Sequence, residues 1–279
     1  MSQVHRPCAG LVAVAFLTLV CLPLGAQRLP TNYTVVTFRK VAPEKVNAFL
    51  SFTMEQTKKV MQARIDSGGI KTWTLLKLTV PYSAGSDYNY VMVVSTDKFP
   101  DLDPAAAEMD ATYKKVGLNR AEYLKTSREL STLVHQEINR GVLRVGPGAE
   151  VGNYVRVDYH VSSAERPGEL MEMERSVYAP MFKEVIEANK GIRAWAVSVP
   201  MLPTSGESGY TLYTTQTFKD SASLGAGAGT SQEVFRKVHP ERNYMNTMGQ
   251  VRALDRISKV RIYHVLEVLG SPILGAPMK

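Results

Sequence analysis

The chain has 279 residues, 44% of them hydrophobic and 21% charged, ordinary proportions for a packed globular protein. Composition alone excludes a disordered, collagen-like or disulfide-knotted chain, and the length suits one large domain or two smaller ones. Lys and Arg number 33 against 26 Asp and Glu, for a net charge of +7. The paired cations Lys58-Lys59, Lys114-Lys115 and Arg236-Lys237 lack interleaved aromatics, so nucleic acid is not expected as a partner.

Residues 1–26 read as a secretory signal peptide. Arg6 is the only full charge before position 28, the run Ala9 to Leu22 is apolar, and Pro23 to Ala26 form a small-residue exit. A secreted or periplasmic protein is therefore expected. The apolar run is shorter than the roughly 20 residues that span a bilayer, so no membrane span is expected after signal removal. Cys8 and Cys21 both lie within this segment. Without them the remaining chain can form no disulfide, thiolate metal site or cysteine nucleophile.

Beyond the signal, Tyr33 to Lys40 alternates and is rich in Thr and Val, which predicts a strand. Pro43 opens a helix whose apolar face runs through Val46, Phe49, Leu50, Val60 and Met61, and Gly68-Gly69 closes it. Strands are predicted at Lys71 to Val80 and Tyr88 to Thr96, joined by a Gly/Ser/Asp turn. A helical region from Pro104, interrupted near Gly117, is predicted to reach Ile138, before a last strand at Val142 to Val145. The order then recurs: strand 153–161, helix 167–189, strands 192–200 and 209–217, helices 231–238 and 240–257, strand 260–268. Pro180 has no amide to bond Ser176, so a kink is expected there.

The recurrence extends to residues. Asn32-Tyr33 matches Asn153-Tyr154, Gly69-Ile70-Lys71-Thr72-Trp73 matches Gly191-Ile192-Arg193-Ala194-Trp195, and Tyr113 to Val116 matches Phe235 to Val238. Offsets near 121 point to a duplicated domain: repeat 1 over 27–150 and repeat 2 over 151–279. The order β-α-β-β-α-β is that of a ferredoxin-like unit. The expected fold class is α+β, two ferredoxin-like units fused in one chain as a pseudo-dimeric α+β barrel, packed sheet to sheet. This arrangement resembles the dimeric α+β barrel superfamily. The second copy also resembles its NIPSNAP-type branch, in Tyr154-x-Arg156-x-x-Tyr159, Pro167-Gly168, Tyr178-x-Pro180 and Lys190-Gly191-x-x-x-Trp195. Cofactor-free monooxygenases, small lyases and haem enzymes belong to related branches, so the resemblance alone does not choose an activity.

Candidate site residues come from the first strand of each copy. Val155, Val157, Tyr159 and Val161 are expected to pack on helices, leaving Tyr154, Arg156, Asp158 and His160 to face the space between the sheets together with Arg39. Unpaired buried charge is costly. These groups therefore form either a polar ligand pocket, with His160 as acid/base and the arginines on an anion, or a structural Arg-Asp pair at a wet seam. Glu174 shares the apolar stripe of its helix and is a further ligand-binding candidate. Trp73 and Trp195 suit a core better than a pocket.

The histidines show no metal-ligand spacing, and no Walker, G-x-S-x-G or dinucleotide motif is present. No cofactor is expected from motifs. Haem stays compatible, since a single axial ligand such as His160 or His264 leaves none. The expected function is an exported protein binding a small molecule between its sheets, the alternative a cofactor-independent monooxygenase or lyase.

Overall fold

The computed structural model describes residues 32–80, 87–102, 104–163, 166–227 and 229–270. The expected signal peptide, both cysteines and the turn after Val80 lie outside them. Strand β1 (Asn32–Lys40) leads into a long helix. Its parts are α1 (Val46–Phe52), a π-helical turn (Thr53–Thr57) and α2 (Lys58–Asp66). Then follow β2 (Thr72–Val80), β3 (Tyr90–Thr96), α3 (Ala106–Lys115), α4 (Arg120–Leu130) and β4 (Thr132–Val145). The chain continues with β5 (Tyr154–Ser162), α5 (Pro167–Met173), a second π-helical turn (Glu174–Tyr178) and α6 (Ala179–Glu187). It ends with β6 (Ile192–Leu202), α7 (Ser205–Ser208), β7 (Leu212–Phe218), α8 (Ser221–Ala226), α9 (Gln232–Val238), α10 (Tyr244–Leu254) and β8 (Asp255–Leu269).

Two ferredoxin-like units facing each other across separate sheets were the expectation, and the strand pairing corrects it. The eight strands close into a single antiparallel barrel in the order β1-β3-β2-β8-β5-β7-β6-β4, with the helices outside. The closure rests on the length of β4 and β8, 14 and 15 residues. β4 pairs with β1 over Thr132 to Gly141 and runs on to pair with β6 over Ile138 to Val145. β8 joins β5 to β2 in the same manner. No strand of the barrel is left with an unpaired edge, which removes a template for aggregation.

The same pairing explains why the helix predicted to reach Ile138 stops at Leu130. Residues 132–140 gain a full ladder against β1, and the His135 ring stacks on Phe38 at 3.9 Å. Long-range pairing here outweighs the local helical pattern. Each strand end is shaped by a close approach. Gly146, just past β4, has φ +84°, and a Cβ there would overlap the Arg193 carbonyl oxygen. Gly270, just past β8, has φ +78° and meets the Lys71 carbonyl in the same way.

Core packing divides between the barrel lumen and its outer surface. Outside, Trp195 stacks on Phe182 at 5.1 Å among Leu170, Val177, Phe218 and Phe235. Trp73 packs with Phe49, Ile70 and Tyr90 beneath the first long helix. Both tryptophans are fully buried core residues. The π-helical turn before Pro180 is closed by the bond from the Ala179 amide to the Glu174 carbonyl. Thr53–Thr57 forms the same turn without a proline, so Pro180 is not what widens the helix. No helix among the described residues is long and apolar enough to cross a membrane.

Candidate functional site

The barrel lumen holds a cavity of about 240 Å3. Its apolar wall comes from inward residues of β1, β2, β3 and β5, among them Val36, Phe38, Leu76, Val91, Val93, Val155 and Val157. Thr72, Thr74, Ser95, Ser198, Thr215 and Thr217 form a band of hydroxyls, and Gly148 and Ala149 of the β4–β5 connection also line the space. An apolar cavity of roughly 150 Å3 accepts benzene, so this lumen has room for a molecule of two fused rings.

Glu137, Arg144, Tyr159, Tyr213 and Tyr263 supply its ionisable groups, and Tyr88 and Tyr210 pack against these tyrosines in the same buried cluster. Tyr210 donates to Glu137 Oε2 at 2.8 Å, and the hydroxyls of Tyr88 and Tyr263 meet at 2.8 Å. Burial raises the pKa of Tyr88, Tyr159, Tyr210 and Tyr263 and pushes Tyr213 up to about 12. All five phenols are therefore protonated at neutral pH and act as hydrogen-bond donors. The Lys259 ammonium lies 5.0 Å from the centre of the Tyr159 ring, and burial lowers its pKa. Burial likewise lowers the pKa of Arg144.

The residues singled out from the sequence lie elsewhere. Val155, Val157 and Tyr159 face the lumen, so their neighbours Tyr154, Arg156, Asp158 and His160 face outward, beneath the helices. The expected facing of this strand is reversed. Both surfaces of a barrel strand are buried when helices cover the outside, so alternation alone cannot tell in from out. The polar residues take the helix side because partners wait there. Arg39 Nε donates to Ser131 Oγ at 2.8 Å and its Nη2 to Ser127 Oγ at 2.9 Å, at the end of α4. Tyr154 stacks on His264 at 4.9 Å.

Under the second π-helical turn the outward residues do come together. His160 Nδ1 lies 2.9 Å from Asp255 Oδ2, and its Nε2 lies 3.1 Å from Thr214 Oγ1. Arg156 Nε donates to Asp158 Oδ1 at 2.8 Å, and Gln216 Nε2 to Asp158 Oδ2 at 3.2 Å. Glu174 is 3% exposed and feels the charges of His160, Asp255 and Asp158. Burial, reinforced by the two aspartates and opposed by the imidazolium, raises its pKa to about 7. Burial works against charge on His160 too, yet the hydrogen bond and attraction from Asp255 leave its pKa raised. Three carboxylates thus meet one guanidinium and one imidazole in a layer between barrel and helix, where both Glu174 and His160 hold their protons more tightly than usual. Arg39 does not belong to this cluster.

Solved structures show the same architecture. A Lactobacillus acidophilus protein described as a candidate monooxygenase superposes with a TM-score of 0.55 at 8% identity, covering 88% of this chain and 99% of its own. A second candidate monooxygenase, from Fusobacterium nucleatum, gives 0.58 at 11% identity, over 90% and 100%. The shared fold is a closed antiparallel barrel with helices outside. At these identities the likeness is one of fold; it shows neither the NIPSNAP-type branch nor a tandem duplication. No family model and no curated protein matches the sequence.

The residues around His160 do not fit an axial haem ligand, since both ring nitrogens already have partners. Among the described residues no group of His, Cys, Asp and Glu is arranged to hold a metal ion. Sequence reasoning missed Glu137 because a helix was expected to run through it. The signal for the tyrosines is their place on or beside predicted strands: Tyr88, Tyr210, Tyr213 and Tyr263, together with Tyr159, which was expected on the helix side.

Proposed function

We propose that the protein binds a small, largely apolar organic molecule inside the barrel lumen. The observation that carries this reading is the 240 Å3 cavity, walled by valines and aromatic rings and edged by hydroxyls and Glu137. Mostly apolar pockets with a few placed polar groups are where proteins bind small molecules. The test is a calorimetric titration with naphthalene of the wild-type chain and of Val157→Trp, whose added indole would fill the lumen. Saturable binding by the wild type, lost in a variant that still unfolds cooperatively, supports the reading. No binding by the wild type sinks it.

A second reading, cofactor-independent monooxygenase or lyase chemistry with His160 as acid/base, has one observation in its favour. Asp255 holds His160 Nδ1, as an orienting carboxylate holds a general base. A positioned acid/base contributes on the order of 100-fold or more to rate. His160→Ala should therefore reduce turnover of any accepted substrate by at least that factor, and unchanged turnover removes this reading. As part of the proposal the chain acts outside the cytoplasm, after loss of residues 1–26. An N-terminus other than residue 27 on the exported protein would revise that boundary.

A further inference from the structure

The lumen is lined by a carboxylate and a guanidinium from the same strand. Glu137 and Arg144 both belong to β4 and both border the cavity. At about 3.3 Å per residue their Cα atoms are roughly 20 Å apart along the strand, so acid and cation stand at separate levels of the barrel. An odd spacing would put them on opposite faces of a regular strand. The register of β4 against β6 shifts between Gly141 and Leu143, and such irregularities re-aim side chains. Past the shift Leu143 joins the outer core while Arg144 borders the lumen.

The surroundings of Arg144 are small. It pairs with Ala196, and Ala196 pairs with Thr215; both line the cavity, as do Gly148 and Ala149. Side chains of this size leave room in front of a guanidinium. The level of Glu137 is different: Val36 lies opposite it on β1, and Val93 lies opposite Val36 on β3. Glu137 is also served by the protein, since Tyr210 donates to one oxygen and His135 Nε2 lies 3.5 Å from the other. Arg144 carries five N–H donors in a fork that matches a carboxylate, so a partner within the protein does not exhaust it. Burial strips water from its charge, a cost that a bound anion offsets.

We propose that the lumen takes a small amphipathic monoanion, a flat apolar body bearing one carboxylate, with the carboxylate on Arg144 and the body towards the valines of β1, β3 and β5. This specificity rests on the reading of the lumen as a binding site. Among the described residues lining the cavity Arg144 is the one Lys or Arg, and it balances a single negative charge. Arg144 acts as a binding residue; the apolar wall supplies affinity without regard to charge.

The experiment compares three probes by calorimetry at pH 7: 2-naphthoate, its neutral isostere 2-naphthamide, and naphthalene. Hydrogen bonds to a charged group are the stronger ones, so the wild type should bind 2-naphthoate about tenfold or more tightly than either neutral probe. Arg144→Met keeps the stem and removes the charge. It should erase that preference while keeping 2-naphthamide affinity within a factor of about three. Should this variant not fold, Arg144→Lys keeps the charge and loses the fork; it should weaken 2-naphthoate by about threefold or more and leave 2-naphthamide unchanged. Binding of the neutral probes with no preference for 2-naphthoate, or a preference that survives these substitutions intact, overturns the role of Arg144 and leaves lumen binding standing. Failure of all three probes to bind overturns both.

Discussion

Glu174→Gln should flatten the stability of the protein against pH. Glu174 lies under the second π-helical turn, facing Asp158 and His160 of β5 and Asp255 of β8, with Arg156 bonded to Asp158. Its carboxyl holds a proton to about pH 7 in the folded chain, against 4.5 for an ordinary glutamate. The folded state therefore binds that proton more tightly than the unfolded state. The associated stability is complete below pH 4.5 and is lost as pH rises through 7. At about 1.4 kcal/mol per pH unit, the interval from 4.5 to about 7 corresponds to about 3 kcal/mol. Glutamine keeps the shape of the neutral acid and cannot ionise, so it should not suffer that loss. The raised pKa of His160 acts in the same direction in both proteins, its share being lost above pH 6.5. Urea unfolding followed by tryptophan fluorescence at pH 5 and pH 8 measures the effect. The wild type should lose about 2.5 kcal/mol more than Glu174→Gln over that range, since part of the effect is already lost at pH 5. Parallel losses in the two proteins would refute the account of a buried, proton-holding Glu174.

Other perturbations test other parts of the structure. Tyr210→Phe removes the buried donor to Glu137 and should cost about 1–3 kcal/mol in chemical denaturation; a cost below measurement would mean the carboxylate is not held there. Gly146→Ala meets both a left-handed backbone and the Arg193 carbonyl, so it should lower the melting temperature well beyond the effect of Gly168→Ala, where a Cβ meets open space. A chain of residues 151–279 would expose the edges of β6 and β8 that pair with β4 and β2. It should self-associate in analytical ultracentrifugation, and a cooperative monomer would contradict the closed barrel.

Much of the secondary structure was legible because its signals are local. The alternation in 33–40, Pro43, Gly68-Gly69 and the Pro167-Gly168 start mark the ends of real elements within a few residues. What was not legible depends on pairing between distant segments. Residues 132–141 form strand because β1 lies alongside them, and barrel closure follows from β4 and β8 outrunning their own partners. The facing of β5 was hidden for a related reason. Val157 and Asp158 are both buried, one by the lumen and one by the helix layer, so hydrophobicity does not separate the two sides. His160, Asp158 and Arg156 could be picked out together on one strand and Glu174 separately on its helix, but their partners Asp255 and Thr214 arrive from β8 and β7.

The central claim is that ligand enters the lumen and not the layer between barrel and helices. Nuclear Overhauser contacts between bound naphthalene and methyl-labelled protein test it most directly. Contacts to the methyls of Val36, Val93 and Val157, which line the lumen, are the predicted result. Contacts confined to Val177 and Val185, buried on the helix side, would contradict it.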